Sequence, residues 1–220
     1  NVDALVDDIG TGGHSATLLT NGLVLISGGS SDFFSEVKEG LVRGITKNTL
    51  QFFDPSTESF ALLQNKAGAN LTLQTSRFLH SAILLSNGNI AFIGGSNINS
   101  TSLIASPISL IEVISPDLLS YSGGLLKAES KTNLDTYNGR ILPTAILVTP
   151  KTKTSGFFLS SDIDTYVNSG IYLTGGYTNG FGTLPSKSSE FIQNVSSNSV
   201  EGRKLKLSPE GLISGSYIRN

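Results

Sequence analysis

The chain contains two histidines, His14 and His80, the residues whose side chains best suit acid–base chemistry or metal binding near neutral pH. Brought together by the fold, they could act as metal ligands or as a general base. Each of them, however, opens the same His-Ser-Ala pattern, and no third ligand type recurs beside them. Because active sites are usually singular while architecture recurs, we interpret both as structural residues at the start of a strand. We therefore predict no catalytic residue, no metal site and no cofactor.

The acidic residues offer a weaker candidate for a cation site. Asp162, Asp164 and Asn168 place oxygen ligands at the first, third and seventh positions of a calcium loop. The glycine and the glutamate that complete such a loop are missing, so we interpret this stretch as a solvated insertion. Elsewhere the carboxylates form no recognisable facing pair of the kind that glycoside hydrolysis requires. The chain has no cysteine, which excludes disulfides and thiolate metal sites.

The histidines belong to two near-identical segments that begin 66 residues apart. Residues 14–29 read HSATLLTNGLVLISGG and residues 80–95 read HSAILLSNGNIAFIGG. In each, two aliphatic runs suit β-strands, and an Asn-Gly pair between them predicts a tight type I′ hairpin. A Gly-Gly pair then ends the second strand, where backbone without a Cβ permits a bend or close packing. The residues at these repeat positions are Asn21, Gly22, Gly28, Gly29, Asn87, Gly88, Gly94 and Gly95.

The aliphatic runs are almost continuously apolar, so we expect both faces of these strands to be buried between stacked sheets. A second strand pair follows each segment, with turns predicted at Asp54-Pro55-Ser56 and at Ser115-Pro116-Asp117. A third, degenerate copy starts at Arg140, is interrupted by a polar insert over 149–168, and resumes before Gly175 and Gly176. We predict three units of four antiparallel strands, over about 12–63, 77–126 and 140–207. Residues 1–11 and 208–220 are expected to supply strands of adjoining units.

This succession of motifs resembles the kelch repeat, in particular that of bacterial galactose-oxidase-like β-propellers. The resemblance spans about residues 12–207, and it implies four-stranded blades arranged around an axis. One departure is that Phe60 and Tyr121 stand where the repeat usually carries tryptophan. Three blades are fewer than the four to eight of a closed ring. We interpret the chain as part of a longer propeller; the alternatives are a ring completed by identical chains and a compact non-propeller arrangement of three sheets.

Composition limits the classes of partner. The formal net charge of −2 gives no electrostatic footprint for nucleic acid, and no apolar run is long enough to span a membrane. Recognition is expected in four long connections between strands, Ser30–Lys47, Gln64–Ser76, Ser96–Ser106 and Tyr177–Ser188. Two of them carry aromatic residues suited to a protein hot spot or to stacking on a sugar. These candidate binding residues, which could instead cover blade edges, are Phe33, Phe34, Tyr177 and Phe181.

The sequence therefore predicts a non-catalytic scaffold that binds a protein partner through loops on one face. The alternative is a carbohydrate-binding module, or a non-catalytic part of a larger secreted carbohydrate-active protein. The copper oxidase chemistry implied by the resemblance needs a tyrosine crosslinked to cysteine, which this segment lacks. A surface rich in Ser, Thr and Asn leads us to expect export to the periplasm, cell surface or medium, with the cytoplasm left open. Three Asn-x-Ser/Thr triplets, at Asn70, Asn99 and Asn194, would be glycosylation acceptors in a eukaryotic secretory host.

Overall fold

A computed structural model describes residues 11–36, 41–98, 104–122, 125–130, 134–135, 138–148, 170–180, 183–193 and 204–207. The regular elements in these ranges are all β-strands. They form three larger sheets, each built on an antiparallel path of four strands, and two separate two-stranded hairpins. The predicted four-stranded units are thereby confirmed. The predicted strands within 1–10 and 208–220, and the insert over 149–168 with Asp162, Asp164 and Asn168, lie outside the described residues.

The three sheets follow the same path. Sheet 1 has the order β1-β2-β5-β6, with β1 at Ser15–Leu18, β2 at Val24–Ser27, β5 at Leu50–Asp54 and β6 at Ser59–Leu62. Sheet 2 contains β7 (Ser81–Leu84), β8 (Ile90–Ile93), β11 (Leu110–Ser122) and β12 (Leu125–Ser130), and the short β13 (Leu134–Asp135) pairs with the start of β11. Sheet 3 has the order β14-β15-β16-β17, at Thr144–Val148, Gly170–Thr174, Ser189–Gln193 and Lys204–Leu207.

The hairpins at Asn21-Gly22 and Asn87-Gly88 form, but their turn type differs from the prediction. Gly22 N–H donates to Leu19 C=O (3.1 Å) and Leu19 N–H donates to Leu23 C=O (2.8 Å), which defines a three-residue loop. The glycine has positive φ (89°), whereas the preceding asparagine does not. This is a type I turn followed by a left-handed glycine, not type I′. The asparagine side chain instead accepts the N–H two residues later, at 3.2 Å in the first hairpin.

The turn predicted at Ser115-Pro116-Asp117 is wrong, since β11 continues through these residues to Ser122. β11 pairs with β8 only over Glu112–Ile114, whereas it pairs with β12 at Pro116. Pro116 therefore lies where the strand has one neighbour, and a residue without an N–H is tolerated there. The corresponding turn after Asp54 is confirmed, and its carboxylate accepts the N–H of Ser56 at 2.8 Å.

Two of the connections predicted to be irregular loops are β-hairpins. Residues 30–46 contain β3 (Ser30–Glu36) paired with β4 (Leu41–Thr46), and residues 96–107 contain β9 (Ser96–Ile98) paired with β10 (Ala105–Pro107). The two hairpins contact each other, because Ile98 N–H donates to Thr46 Oγ1 at 3.1 Å. These connections are therefore regular structure added at one end of the sheets.

The core lies between the sheets. One cluster fills the space between sheets 1 and 2 and is built around Leu25, Phe52, Ile90 and Phe92. A second joins sheets 2 and 3 around residues such as Ile93 and Leu173. The prediction of burial on both faces thus holds for sheet 2, where all of β8 is buried. It is wrong for the end sheets, whose outward faces expose aliphatic side chains: Leu18 (65%), Ile146 (55%) and Val148 (40%).

Candidate binding face

The three sheets present equivalent segments at one end, immediately after their Gly-Gly pairs. In each sheet an isolated antiparallel bridge joins a residue just before the first strand to the residue that follows the Gly-Gly pair. The bridged pairs are Gly12 with Ser30, Phe78 with Ser96, and Ile141 with Tyr177. The β3–β4 hairpin, the β9–β10 hairpin and the segment 177–188 begin at these bridges. We call the end of the sheets formed by these three segments the hairpin face.

A line of backbone hydrogen bonds joins the three sheets beside the hairpin face. Leu79 N–H donates to Gly13 C=O (2.7 Å), and Leu142 N–H donates to Leu79 C=O (2.9 Å). All three residues have positive φ, at 66°, 53° and 55° for Gly13, Leu79 and Leu142. A leucine in this region is strained by roughly 1–2 kcal/mol. The repeated strain is offset by a hydrogen bond that spans from one sheet to the next, so the sheets are held in a fixed relation.

The Gly-Gly pairs allow a second set of contacts between sheets. Gly29 N–H donates to Arg77 C=O (2.8 Å), and Gly95 N–H donates to Arg140 C=O (2.7 Å). A Cβ on Gly28 would lie 2.2 Å from the Arg77 carbonyl oxygen, and one on Gly94 would lie 2.5 Å from that of Arg140. Glycine is therefore required at these positions for the close approach of two sheets.

A buried ion pair lies under the hairpin face in sheet 2. Arg77 is fully buried and donates to Glu112 Oε1, and it also donates to the Gly94 and Leu110 carbonyl oxygens at 3.0 and 3.1 Å. The Glu112 carboxylate also accepts the N–H groups of Gln74 and Thr75. Burial lowers the pKa of Arg77, and the neighbouring carboxylate opposes that shift. The pair thus fixes the connection that leads from sheet 1 into sheet 2.

The same pair recurs in sheet 3. Arg140 donates through Nε and Nη2 to Glu190 Oε1 (3.2 and 3.0 Å), and through Nη1 to the Gly175 and Ser188 carbonyl oxygens. Sequence reasoning assigned no role to these four charged residues. The available signal was that Arg77 and Arg140 occupy one repeat position, although nothing local identified the glutamates as their partners.

The two histidines occupy the same repeat position but differ in their surroundings. His80 is buried and its Nε2 is hydrogen-bonded to Ser27 Oγ of sheet 1 at 2.8 Å. Burial, with smaller contributions from Arg77 and His14, lowers the pKa of His80 to about 3, so it is neutral. His14 is exposed, and its Nδ1 lies 3.1 Å from Thr11 C=O. The described residues contain no group of three His, Asp or Glu side chains that could hold a metal ion.

Three of the predicted binding residues, Phe33, Phe34 and Tyr177, belong to segments of the hairpin face. Tyr177 is half-buried and packs against a cluster that contains Phe78 and Ile141. Phe33 and Phe34 lie on β3, whose backbone pairs Phe34 with Arg43. The side chains of Phe33 and Phe34, and all of Phe181, lie outside what the structure describes, as do Asn99 and Asn194; Asn70 is exposed.

The hairpin face also carries exposed aliphatic residues that sequence reasoning missed. Among the described residues, each of its three segments has one: Ile45 on β4 (69% exposed), Ile104 immediately before β10 (54%) and Leu184 after Tyr177 (89%). Leu142, in the backbone line, is 48% exposed. The signal in the sequence was an isolated aliphatic residue within a polar stretch, which is common on any surface and so was not distinctive.

Comparison with known proteins identifies the fold. No family model matches the chain, and no curated protein matches it. Among solved structures, that of YjhT aligns with 94% of this chain and 54% of its own length, at 13% identity and a TM-score of 0.51. A fungal alcohol oxidase of the AA5 family, solved in complex with copper, aligns with 92% of this chain. The alignment covers 44% of the oxidase's own length, at 12% identity and a TM-score of 0.41. The chain spans about half the length of each.

At this identity the YjhT likeness shows the fold alone. The chain has an all-β, kelch-type propeller fold, and its three sheets are propeller blades. The resemblance seen in the sequence is thus confirmed at the level of the fold, and we refer to the sheets as blades 1 to 3. The described residues include no helix long and apolar enough to cross a membrane.

Proposed function

We propose that the chain is a non-catalytic scaffold that binds a protein partner through the hairpin face. One observation carries this proposal: each of the three segments of that face exposes a large aliphatic side chain, Ile45, Ile104 or Leu184. Binding residues concentrate on loops and hairpins that a rigid scaffold holds in place, and we infer that these three side chains contact the same partner.

The energetics favour a moderate affinity. Full burial of an Ile or Leu side chain contributes about 1.5–3 kcal/mol, so three such residues supply about 5–9 kcal/mol. Association itself costs about 4–15 kcal/mol in lost freedom of motion. The aliphatic residues alone therefore do not give tight binding. A partner must also form polar contacts with the hairpins, and we expect a micromolar complex.

The absence of catalysis is proposed on two grounds. The buried carboxylates of Glu112 and Glu190 are both engaged by arginine, so neither is poised as an acid or a base. The chain also has no cysteine and cannot form the tyrosine–cysteine crosslink of a copper radical oxidase. The same polar surface composition supports a location outside the cytoplasm, which fractionation of the source cells would test.

A carbohydrate-binding module is the second candidate. The observation that favours it is that the aromatic residues Phe33, Phe34, Tyr177 and Phe181 belong to the same segments as the exposed aliphatic ones. Stacking on a sugar requires an open ring face. Tyr177 instead packs partly against Phe78 and Ile141, which favours a protein partner over a glycan.

Binding measurements on matched variants separate the two candidates. A partner captured from source extract is identified, and its affinity is measured for the unmodified chain, for Ile45→Asp and for Leu184→Asp. Thr20→Asp, an exposed change at the opposite end of blade 1, is the control. We expect at least a tenfold loss for both hairpin-face variants and none for the control. Saturable binding on a glycan array that Tyr177→Ala abolishes, with no effect of Leu184→Asp on any ligand, would instead establish the carbohydrate-binding reading.

A further inference from the structure

The sequence Thr-Asn-Gly occurs twice, at residues 20–22 in the β1–β2 turn and at residues 178–180 on the hairpin face. Asparagine is a chemically labile residue, above all before glycine, whose nitrogen no Cβ shields from the asparagine side chain. The reaction that removes the amide requires the glycine nitrogen to give up its proton. A hydrogen bond donated by that N–H therefore opposes it, and two copies of one tripeptide can differ in reactivity through structure alone.

In the β1–β2 turn both reacting groups are held by hydrogen bonds. Gly22 N–H donates to Leu19 C=O at 3.1 Å, and the side-chain oxygen of Asn21 accepts the N–H of Leu23 at 3.2 Å. The β7–β8 turn forms the same two hydrogen bonds around residues 87–88, at 2.9 and 3.1 Å. These bonds must break before the side chain and the glycine nitrogen can meet, so both turns are protected.

Asn179 and Gly180 are not restrained in this way. The Asn179 side chain is exposed, and neither it nor the Gly180 N–H forms a hydrogen bond to a residue that the structure describes. The remaining Asn-Gly pair, at 138–139, is tightly packed, since a Cβ on Gly139 would lie 2.8 Å from the carbonyl carbon and oxygen of Pro107. The pair at 179–180 therefore combines an exposed amide with a glycine nitrogen that no described group holds.

This pair lies between two exposed aliphatic residues of the hairpin face. Gly180 is buried next to β10, because a Cβ on it would lie 3.6 Å from the carbonyl oxygen of Ala105, the residue after Ile104. Its own C=O accepts the hydroxyl of Thr183 at 2.8 Å, and Thr183 precedes Leu184. A charge formed at position 179 would thus arise within the apolar part of the hairpin face.

We propose that Asn179 is a site of spontaneous deamidation, which adds a negative charge to the hairpin face as the protein ages. The Gly180 N–H loses its proton to solvent and the nitrogen attacks Cγ of Asn179. The N–Cγ bond forms, the Cγ–Nδ2 bond breaks, and the amide leaves as ammonia. Water then opens the cyclic imide, giving aspartate by cleavage at Cγ or isoaspartate by cleavage at the main-chain carbonyl carbon. The sequence consumes water, releases ammonia and involves no oxidation.

The consequence for binding rests on the proposed function of the hairpin face. A carboxylate placed between apolar contacts must lose its hydration when a partner covers it. We expect conversion to lower the affinity for a protein partner by about tenfold, since desolvating an unpaired polar group costs at least that factor. Deamidation of Asn179 would then limit how long a molecule of this protein remains competent to bind.

Peptide mapping of the folded 220-residue chain tests the site without any partner. The protein is incubated at neutral and mildly alkaline pH, and conversion at each Asn-Gly pair is located by mass spectrometry and by isoaspartyl methyltransferase labelling. We expect Asn179 to convert about tenfold faster than Asn21, because the latter must first break its hydrogen bonds. In urea the two rates should become equal, since the tripeptides are identical. Equal rates in the folded chain, or conversion of Asn179 only after unfolding, would overturn the proposal.

A variant that cannot react separates this proposal from the proposed function. Asn179→Gln keeps a side-chain amide, but its additional methylene disfavours ring closure on the following nitrogen. The affinity for the partner identified from source extract is measured before and after incubation. We expect it to fall for the unmodified chain in proportion to conversion and to stay constant for Asn179→Gln.

The outcomes of that comparison are distinct. Conversion at Asn179 without a change in affinity would refute the hairpin face as the binding surface, while the modification site would be established. An equal loss of affinity in Asn179→Gln would assign the loss to another site and overturn the regulatory role of Asn179. Absence of conversion in the folded chain would refute the modification site, whatever the partner.

Discussion

Replacing Glu112 by glutamine should be among the most destabilising conservative changes in this chain. The carboxylate lies in a site with 3% side-chain exposure, and it receives the Arg77 guanidinium and the N–H groups of Gln74 and Thr75. Glutamine keeps the shape but removes the charge, which leaves a fully buried guanidinium without its counterion. Breaking a buried pair in this way costs about 3–5 kcal/mol. For a chain of this size that corresponds to a fall in Tm of about 10 °C.

Blade 1 supplies the control for this experiment. Thr11 and Gln51 occupy the repeat positions of Arg77 and Glu112, since Gln51 pairs with Ile26 as Glu112 pairs with Phe92. The double variant Arg77→Thr with Glu112→Gln therefore installs a neutral combination that this fold already uses. We expect it to be more stable than Glu112→Gln alone, because the unpaired charge is gone.

Urea unfolding followed by far-ultraviolet circular dichroism measures both effects, with the two single variants and the double variant forming a cycle. We expect a coupling free energy of at least about 2 kcal/mol between the two sites, in the range found for contacting residues. A cost below about 1 kcal/mol for Glu112→Gln, or a double variant whose loss equals the sum of the singles, would refute the view that the pair is a unit.

Two further predictions follow from the joints between blades. His80 should make the free energy of unfolding depend on pH. Burial keeps its side chain neutral in the folded state, with a pKa of about 3, whereas in the unfolded chain it binds a proton below about pH 6.5. Stability is therefore lost as the pH falls from about 6.5 towards 3. Between pH 7 and pH 5 the loss of unfolding free energy should be about 2 kcal/mol, as measured by urea unfolding. We expect His14→Gln to retain this loss and His80→Phe to abolish it. If His80→Phe shows the same dependence of stability on pH, another group is responsible. Gly94→Ala should cost about 2–5 kcal/mol, because its Cβ would meet the Arg140 carbonyl oxygen at 2.5 Å in addition to the backbone strain. Gly88→Ala is also at positive φ but has no described atom within 4 Å, so it should cost only about 1–2 kcal/mol of backbone strain. Equal thermal shifts for the two alanine variants would contradict the close approach.

The blades could be predicted from the sequence because the residues that form the first hairpin of each repeat, β1–β2 and β7–β8, lie close together in the chain. The aliphatic runs, the Asn-Gly pairs and the Gly-Gly pairs each act within a few positions, so a strand pair and its end can be located without tertiary information. The predicted type I′ turn was wrong. Asn21 keeps a negative φ, and its side chain accepts a hydrogen bond from the N–H of Leu23 in that conformation. That outcome depends on one extra loop residue, which composition does not reveal.

The features that escaped prediction depend on distant residues. Arg77 and Glu112 are 35 positions apart in the chain, and neither has a local pattern that names its partner. The β3–β4 hairpin was predicted to be an irregular loop because polar residues and a glycine interrupt its apolar residues, and its strand β4 is supported by the distant strand β9. Pro116 led us to predict a turn. It lies instead in a part of β11 that pairs with β12 and not with β8.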